Sequence, residues 1–117
     1  MLLTSPPTGT AWPSYLVTGV RLDPQQRVVQ VRWFMADRDA EGLLRHITPE
    51  SVVDTVEVVN KLLDAEAVAP LFRVADRLEI GPVINVHVQA DGTELIEVDE
   101  PTQHPGRTLL DLPRLGG

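Results

Sequence analysis

The chain lacks cysteine altogether, and its 117 residues include a single lysine, Lys61, and only two Trp, one Tyr and two Phe. Without cysteine, disulfide bonds, thiolate metal sites and thiol nucleophiles are excluded, and the composition fits a reducing cytoplasm. No apolar run approaches the ~20 residues of a membrane-spanning helix. The opening MLLTSPPTGT has no basic segment typical of a signal peptide. The sequence therefore predicts a cytoplasmic protein with no membrane partner.

Positive charge is also scarce. Ten Lys and Arg residues stand against 17 Asp and Glu, which gives a formal net charge of -7. The arginines are scattered singly between acidic residues, and an acidic surface repels phosphate backbones unless a local basic patch overrides it. We therefore expect no nucleic-acid partner.

Two alternating apolar segments predict a first β-hairpin around the turn DPQQ at 23–26, because Asp and Pro suit the first two positions of a type I turn. Pairing Leu22 with Arg27 collects the apolar residues on one face. The predicted neighbours on that face are Val20 with Val29 and Leu16 with Trp33. The following segment, 36–47, is expected to be an irregular loop.

A single helix is predicted from Thr48, as N-cap, and Pro49, at the first helical position, to about residue 67. The segment is rich in valine, but its apolar residues recur with helical rather than strand period. The stripe expected to face the core consists of Val52, Val56, Val59 and Leu63.

A short strand is predicted at 71–75 and a second hairpin at 83–99. A three-residue loop, with Gly92 in the left-handed conformation, pairs Val86 with Ile96 and unites the apolar face. A two-residue loop would instead pair Val86 with Glu97 and divide that face.

The resulting order, β-β-α-β-β with room for one more strand, predicts an α+β fold. We expect a two-layer sandwich in which one amphipathic helix covers a mainly antiparallel sheet built from both hairpins. Residues 1–13 are expected to form a mobile arm, 14–100 the single domain and 101–117 a tail rich in Pro and Leu.

The second face of this sheet is not cleanly polar, because the predicted register places Tyr15, Val17, Val28 and Phe34 on it. Apolar side chains in such a patch need a cover. The sequence does not decide which of three elements covers them: the C-terminal tail, the arm with Trp12, or a second subunit. We expect these four residues to form the interaction surface of a homo-oligomer or of a partner-binding module.

His87 is the one histidine with spaced acidic neighbours, since the predicted register puts Glu97 on the same strand face and Asp99 further along it. These groups could bind a divalent metal ion or act as an acid–base pair. A solvated polar sheet face has the same composition. The serines lack a GxSxG context and the glycines form no phosphate-binding motif, so no enzymatic activity and no cofactor are expected.

The β-β-α-β-β order with Gly116 and Gly117 at the end of the chain is similar to the β-grasp carriers, the ubiquitin-like and sulfur-carrier proteins. The resemblance implies adenylation of the terminal carboxylate and its transfer as a thioester or thiocarboxylate. In those carriers the glycines follow the last strand closely, whereas here the segment 101–115, with three prolines, intervenes.

A second resemblance rests on the opening strand YLVTGVRLD and the closing LPRL. They look like the Tyr-x-Ile/Val-Thr-x-Val-Arg strand and the closing Leu-Pro of a small bacterial family of unknown function. The resemblance supports the fold and implies no activity, and it implies that the tail docks on the domain with frayed terminal glycines. The matching positions are Tyr15, Val17, Thr18, Val20, Arg21 and 112–115.

Overall fold

Seven strands form a mixed sheet in which antiparallel pairs predominate. The computed structural model describes residues 2–4, 12–38 and 44–116. The elements are β1 Leu2–Thr4, β2 Tyr15–Leu22, β3 Val28–Arg38, β4 Leu44–His46, β5 Ser51–Asp54, α1 Thr55–Leu63, β6 Val68–Val74, β7 Arg77–Ile80, β8 Ile84–Val88 and β9 Glu94–Val98, with short 3-10 helices at Pro101–Gln103 and Leu109–Asp111. Leu2–Thr4, predicted to belong to a mobile arm, form β1, whereas residues 1 and 5–11 of that arm lie outside the described residues. The predicted loop likewise contains β4, and its residues 39–43 are not described.

The sheet has the order β1-β7-β6-β2-β3-β4, with β5 also pairing with β3. The pairs β1–β7 and β2–β6 are parallel and the others antiparallel. The α+β class, the helix and the mainly antiparallel sheet are confirmed. The expectation that both hairpins build one sheet is wrong, because β8 and β9 form a separate two-stranded sheet. The edges of the first hairpin are already taken by β6 on one side and by β4 and β5 on the other.

Two β-bulges reverse the side-chain pattern of the first hairpin. Val17 pairs with Trp33 and Gly19 with Arg32, which leaves Thr18 as an extra residue in β2. A second irregularity, at Val29, lies where the pairing moves from Arg21–Gln30 to Leu22–Val28. Each extra residue turns the following side chains to the other face. The predicted pairs are therefore wrong, and the structure instead pairs Leu16 with Phe34 and Val20 with Val31.

The turn of the first hairpin resembles that of the second. Gln26 has φ of 65° and its N–H donates to the carbonyl of Asp23 at 2.9 Å. The Asp23 carboxylate accepts hydrogen bonds from the Arg27 and Gln25 backbone N–H groups. These bonds hold the pKa of Asp23 below its usual range, and the bond from the Arg27 backbone contributes most. The three-residue loop of the second hairpin, with Gly92 at φ 88°, and its pairing of Val86 with Ile96 are as predicted.

The main core lies between the sheet and a layer formed by α1, the β8–β9 hairpin and the C-terminal segment. Tyr15 and Trp33 stack within it with ring centroids 4.3 Å apart. No helix in the described residues is long and apolar enough to cross a membrane. The buried members are Tyr15, Val17, Val20, Val28, Val31, Trp33, Val58, Val68, Phe72, Ile84, Ile96, Val98, Leu109 and Leu112.

The helix is shorter than predicted and presents a different face to the core. Ser51–Asp54 pair with β3 and form β5, so α1 begins only at Thr55. Its buried contact is Val58, with Val59 and Leu62 partly buried beside it. The predicted core stripe is wrong, because Val56 is 56% and Leu63 77% exposed. The β-branched pair Val52–Val53 follows the available edge of β3 instead of the helical period.

The C-terminal tail is part of the core. Leu109 and Leu112 are buried in it, and the tail then runs parallel to β2. The Val20 N–H donates to the Pro113 carbonyl at 3.0 Å, and the Leu115 N–H donates to the Val20 carbonyl at 2.8 Å. Gly19 permits this approach, since a Cβ there would lie 3.0 Å from a Leu115 methyl carbon. The tail therefore docks on the domain as far as Gly116, whose carbonyl accepts a bond from Arg21.

Candidate functional site

The predicted histidine–carboxylate site is only partly assembled. His87 pairs with Leu95 and the adjacent Asn85 with Glu97, so His87 and Glu97 share a strand face as expected. Both line a cleft of about 250 Å³. Asp99 is exposed and its backbone N–H donates to the Val83 carbonyl. Over residues 2–4, 12–38 and 44–116, no three His, Asp or Glu side chains are placed to bind a metal ion together.

Glu97 has a structural contact that the sequence did not reveal. Its Oε1 accepts the Leu109 backbone N–H at 2.7 Å and the Val98 backbone N–H at 2.8 Å. His87 Nε2 lies 3.1 Å from the Val98 carbonyl oxygen. Glu97 therefore ties β9 to the short helix Leu109–Asp111.

That short helix is held by a second carboxylate. Asp111 Oδ2 accepts hydrogen bonds from the backbone N–H and the hydroxyl of Thr108, each at 2.9 Å. These two bonds hold the pKa of Asp111 below its usual range, and the bond from the Thr108 backbone contributes most. Arg107 pairs with Glu79 on β7 just before this segment. Acidic side chains thus fix the start of the docked segment.

Replacing Glu97 with Ala is expected to lower the unfolding free energy by about 1.5–3 kcal/mol, because the Leu109 N–H loses a charged acceptor. His87→Ala should change stability less, and neither variant should alter the response of the protein to Zn²⁺. Urea unfolding with and without zinc measures both. A zinc-induced stabilisation that His87→Ala and Glu97→Ala both abolish would instead establish a metal site.

The four predicted interaction residues are buried, so they do not form an exposed patch. Tyr15, Val17 and Val28 belong to the main core, because the two bulges turn them inward. Phe34 lies on the second face of the sheet, as predicted, but is 1% exposed. Leu109 and Leu112 of the tail pack in the cluster that contains the first three, and Trp12 packs against the cluster that contains Phe34.

The second face of the sheet carries its own apolar cluster. Trp12, Leu44 and Leu78 pack against this cluster as partly buried neighbours. Because α1 packs in the main core, the second face has no helix over it within the described part of the chain. The buried members are Leu16, Phe34, Ala36, Ala69, Leu71 and Ile80.

Two clefts open along this face. The first, called the Glu66 cleft, has a volume of about 420 Å³; its described lining includes Trp12, Leu16, Ala36, Ile80 and Glu66. The second, called the His46 cleft, has about 390 Å³; its described lining includes Phe34, His46, Leu71, Arg73 and Glu50. Leu44 lines both clefts, so they adjoin. We refer to the pair as the second-face trough.

The polar groups of the trough differ between its two ends. In the His46 cleft the imidazole of His46 stacks on Phe34 with ring centroids 3.8 Å apart, and Arg73 lies in the wall. Glu50 pairs there with Arg32 at 3.9 Å. The charged side chains in the described wall of the Glu66 cleft are the carboxylates of Asp37 and Glu66. Apolar walls with a few placed polar groups are typical of binding sites.

No family model matches the chain, and searches of curated proteins and of solved structures gave no match either. The resemblance to a small bacterial family therefore stays a prediction. The carrier hypothesis also stays a prediction, but the tail does not favour it. The Leu115 N–H is bonded to β2, so the last residues would have to detach before the terminal carboxylate could enter an activating enzyme.

Proposed function

We propose that this protein is a binding module that holds an extended apolar segment of a partner protein in the second-face trough. The observation that carries the proposal is the contrast between the two faces of the sheet. One face is covered by α1, the second hairpin and the tail, whereas the other presents two adjoining apolar clefts. Concave apolar surfaces with a polar rim mark binding sites on proteins.

The occupant is a partner protein rather than a second copy of this chain. The chain has a net charge of -7, and two copies would repel each other as they approached. A polypeptide segment also suits the shape better than a compact ligand. The two clefts share Leu44 and follow one another along the sheet, and an extended chain advances by about 3.3 Å per residue, so a short segment reaches both.

Selection from a displayed library of random peptides tests the proposal, with Ala36→Met as the blocked variant. Ala36 lies in the wall of the Glu66 cleft and is 8% exposed, so a longer side chain there occupies the cleft. Ala90→Met, in the exposed loop of the second hairpin, is the matched control. We expect the wild type and Ala90→Met to enrich peptides with apolar residues, and Ala36→Met to bind those peptides at least tenfold more weakly, a loss of about 1.4 kcal/mol.

Two outcomes would contradict the proposal: equal binding of the selected peptides by Ala36→Met, or a stable dimer of the untagged protein in native mass spectrometry. Overpacking at Ala36 costs roughly 1–3 kcal/mol, so melting temperatures accompany the binding data. If Ala36→Met fails to fold, Thr18→Met, in the wall of the His46 cleft, serves as the blocked variant.

A further inference from the structure

The Glu66 cleft has apolar walls and negative charge only. Its described lining contains two carboxylates, Glu66 and Asp37, and no Lys, Arg or His side chain. Asp37 Oδ2 lies 3.6 Å from the Arg45 guanidinium, and both side chains are largely exposed, so water screens that pair. An occupant of the cleft therefore meets negative charge from both carboxylates, and Glu66 is the less exposed of the two.

One oxygen of the Glu66 carboxylate is enclosed by the protein and lies near Lys61. Oε2 is buried, and no hydrogen bond from residues 2–4, 12–38 or 44–116 reaches it. The nearest cation is Lys61 Nζ, at 3.9 Å, which is too long for a hydrogen bond. Lys61 also lies 5.5 Å above the ring of Tyr15. Oε2 therefore faces Lys61 and the protein interior, and an occupant of the cleft reaches the exposed part of the Glu66 side chain.

The position of Glu66 is fixed by the end of the helix. The Glu66 backbone N–H donates to the Lys61 carbonyl at 3.0 Å, and Ala65, the residue before it, has φ of 63°. The side chain is 38% exposed, so the carboxylate remains accessible from the cleft. Trp12 and Met35 line the same cleft. An aromatic ring and a carboxylate in the wall of one cleft suit an ammonium or guanidinium group better than a neutral polar group.

We propose that the Glu66 cleft receives a basic side chain, lysine or arginine, flanked by apolar residues in the bound partner segment; this inference rests on the proposed function of the trough. The ammonium or guanidinium group donates to the Glu66 carboxylate, and the aliphatic stem of the side chain packs against Trp12 and Leu16. The His46 cleft, which has Arg73 in its wall, takes the apolar part of the segment.

Three parallel peptide selections test the inference, on the wild type, Glu66→Gln and Glu57→Gln. Glu57→Gln removes the same charge from an exposed position of α1 and is the matched control. We expect Lys or Arg beside apolar residues in peptides selected by the wild type and Glu57→Gln. Peptides selected by Glu66→Gln should keep the apolar residues and lose the basic preference. For one wild-type peptide, replacing its basic residue with Gln should weaken binding about tenfold to the wild type and little to Glu66→Gln.

The possible outcomes distinguish the basic-residue inference from the proposed function of the trough, on which it rests. Apolar peptides without a basic preference in all three selections would overturn the basic-residue inference and leave the trough as a binding site. A basic preference that persists in Glu66→Gln would place the cation elsewhere and also overturn it. Peptides whose binding Ala36→Met does not weaken would overturn both.

Discussion

A chain that stops at Arg107 is expected to be unfolded at room temperature, although it keeps the sequence of α1 and of the nine strands that the structure describes. It lacks Leu109 and Leu112, which are 0% and 2% exposed in the main core. Truncating a buried leucine costs roughly 2–5 kcal/mol, and domains of this size are stable by only about 5–15 kcal/mol. The loss of both side chains and of the strand pairing at Val20 is therefore comparable with the whole of that margin.

A chain that stops at Leu112 is the matched control. It keeps both leucines and loses the two backbone hydrogen bonds with Val20, which together contribute about 1–3 kcal/mol. Urea unfolding followed by circular dichroism should show a weakened but cooperative transition for this chain and none for the shorter one. If the chain ending at Arg107 unfolded at the same urea concentration as the full protein, the tail would not belong to the core.

Val58→Asp and Leu63→Asp, two substitutions on the same helix, are expected to differ by several kcal/mol. Val58 is 0% exposed in the main core, so an aspartate there is buried without a partner. We expect that variant to lose cooperative unfolding. Leu63 is 77% exposed, and an aspartate there remains in water, so the unfolding free energy should change by less than about 1 kcal/mol.

Thermal unfolding of the two variants beside the wild type measures this difference. Both introduce one negative charge into α1, so charge alone does not separate them. A severe loss of stability in Leu63→Asp with a stable Val58→Asp would mean that the stripe expected from the sequence, and not the observed one, faces the core.

The sequence predicted well where a turn residue fixed the register. Gly92 tolerates the left-handed conformation that a three-residue loop requires, so the pairing of Val86 with Ile96 followed from the pattern. In the first hairpin Gln26 adopts the same left-handed conformation, which a glutamine in the sequence does not predict. The sequence did not predict the bulge at Thr18 either. That bulge determines which of Tyr15, Leu16 and Val17 faces the main core.

The strand at 51–54 and the hydrogen bond of Glu97 to Leu109 could not be predicted from the neighbouring sequence either. The valines of β5 fit a helical period as well as a strand. They form a strand because the edge of β3 is available for pairing. Glu97 was correctly placed beside His87, but its carboxylate accepts a backbone N–H of the C-terminal tail, and the sequence did not predict where that tail docks. The second face of the sheet was expected to carry an apolar patch, and of the four residues predicted for that patch Phe34 lies there. Its clefts depend on the placement of Trp12 and Leu44, which no periodicity predicts.

The most direct measurement is the set of intermolecular nuclear Overhauser effects between a peptide selected by the wild type and the methyl groups of the isotope-labelled protein. If the trough is the binding site, contacts should reach the methyl groups of Leu16, Leu44, Leu71 and Ile80. The exposed methyl groups of Val56, Leu63 and Val88 should show none. Contacts confined to those three residues, with the methyl groups of the trough unperturbed, would contradict the proposed function.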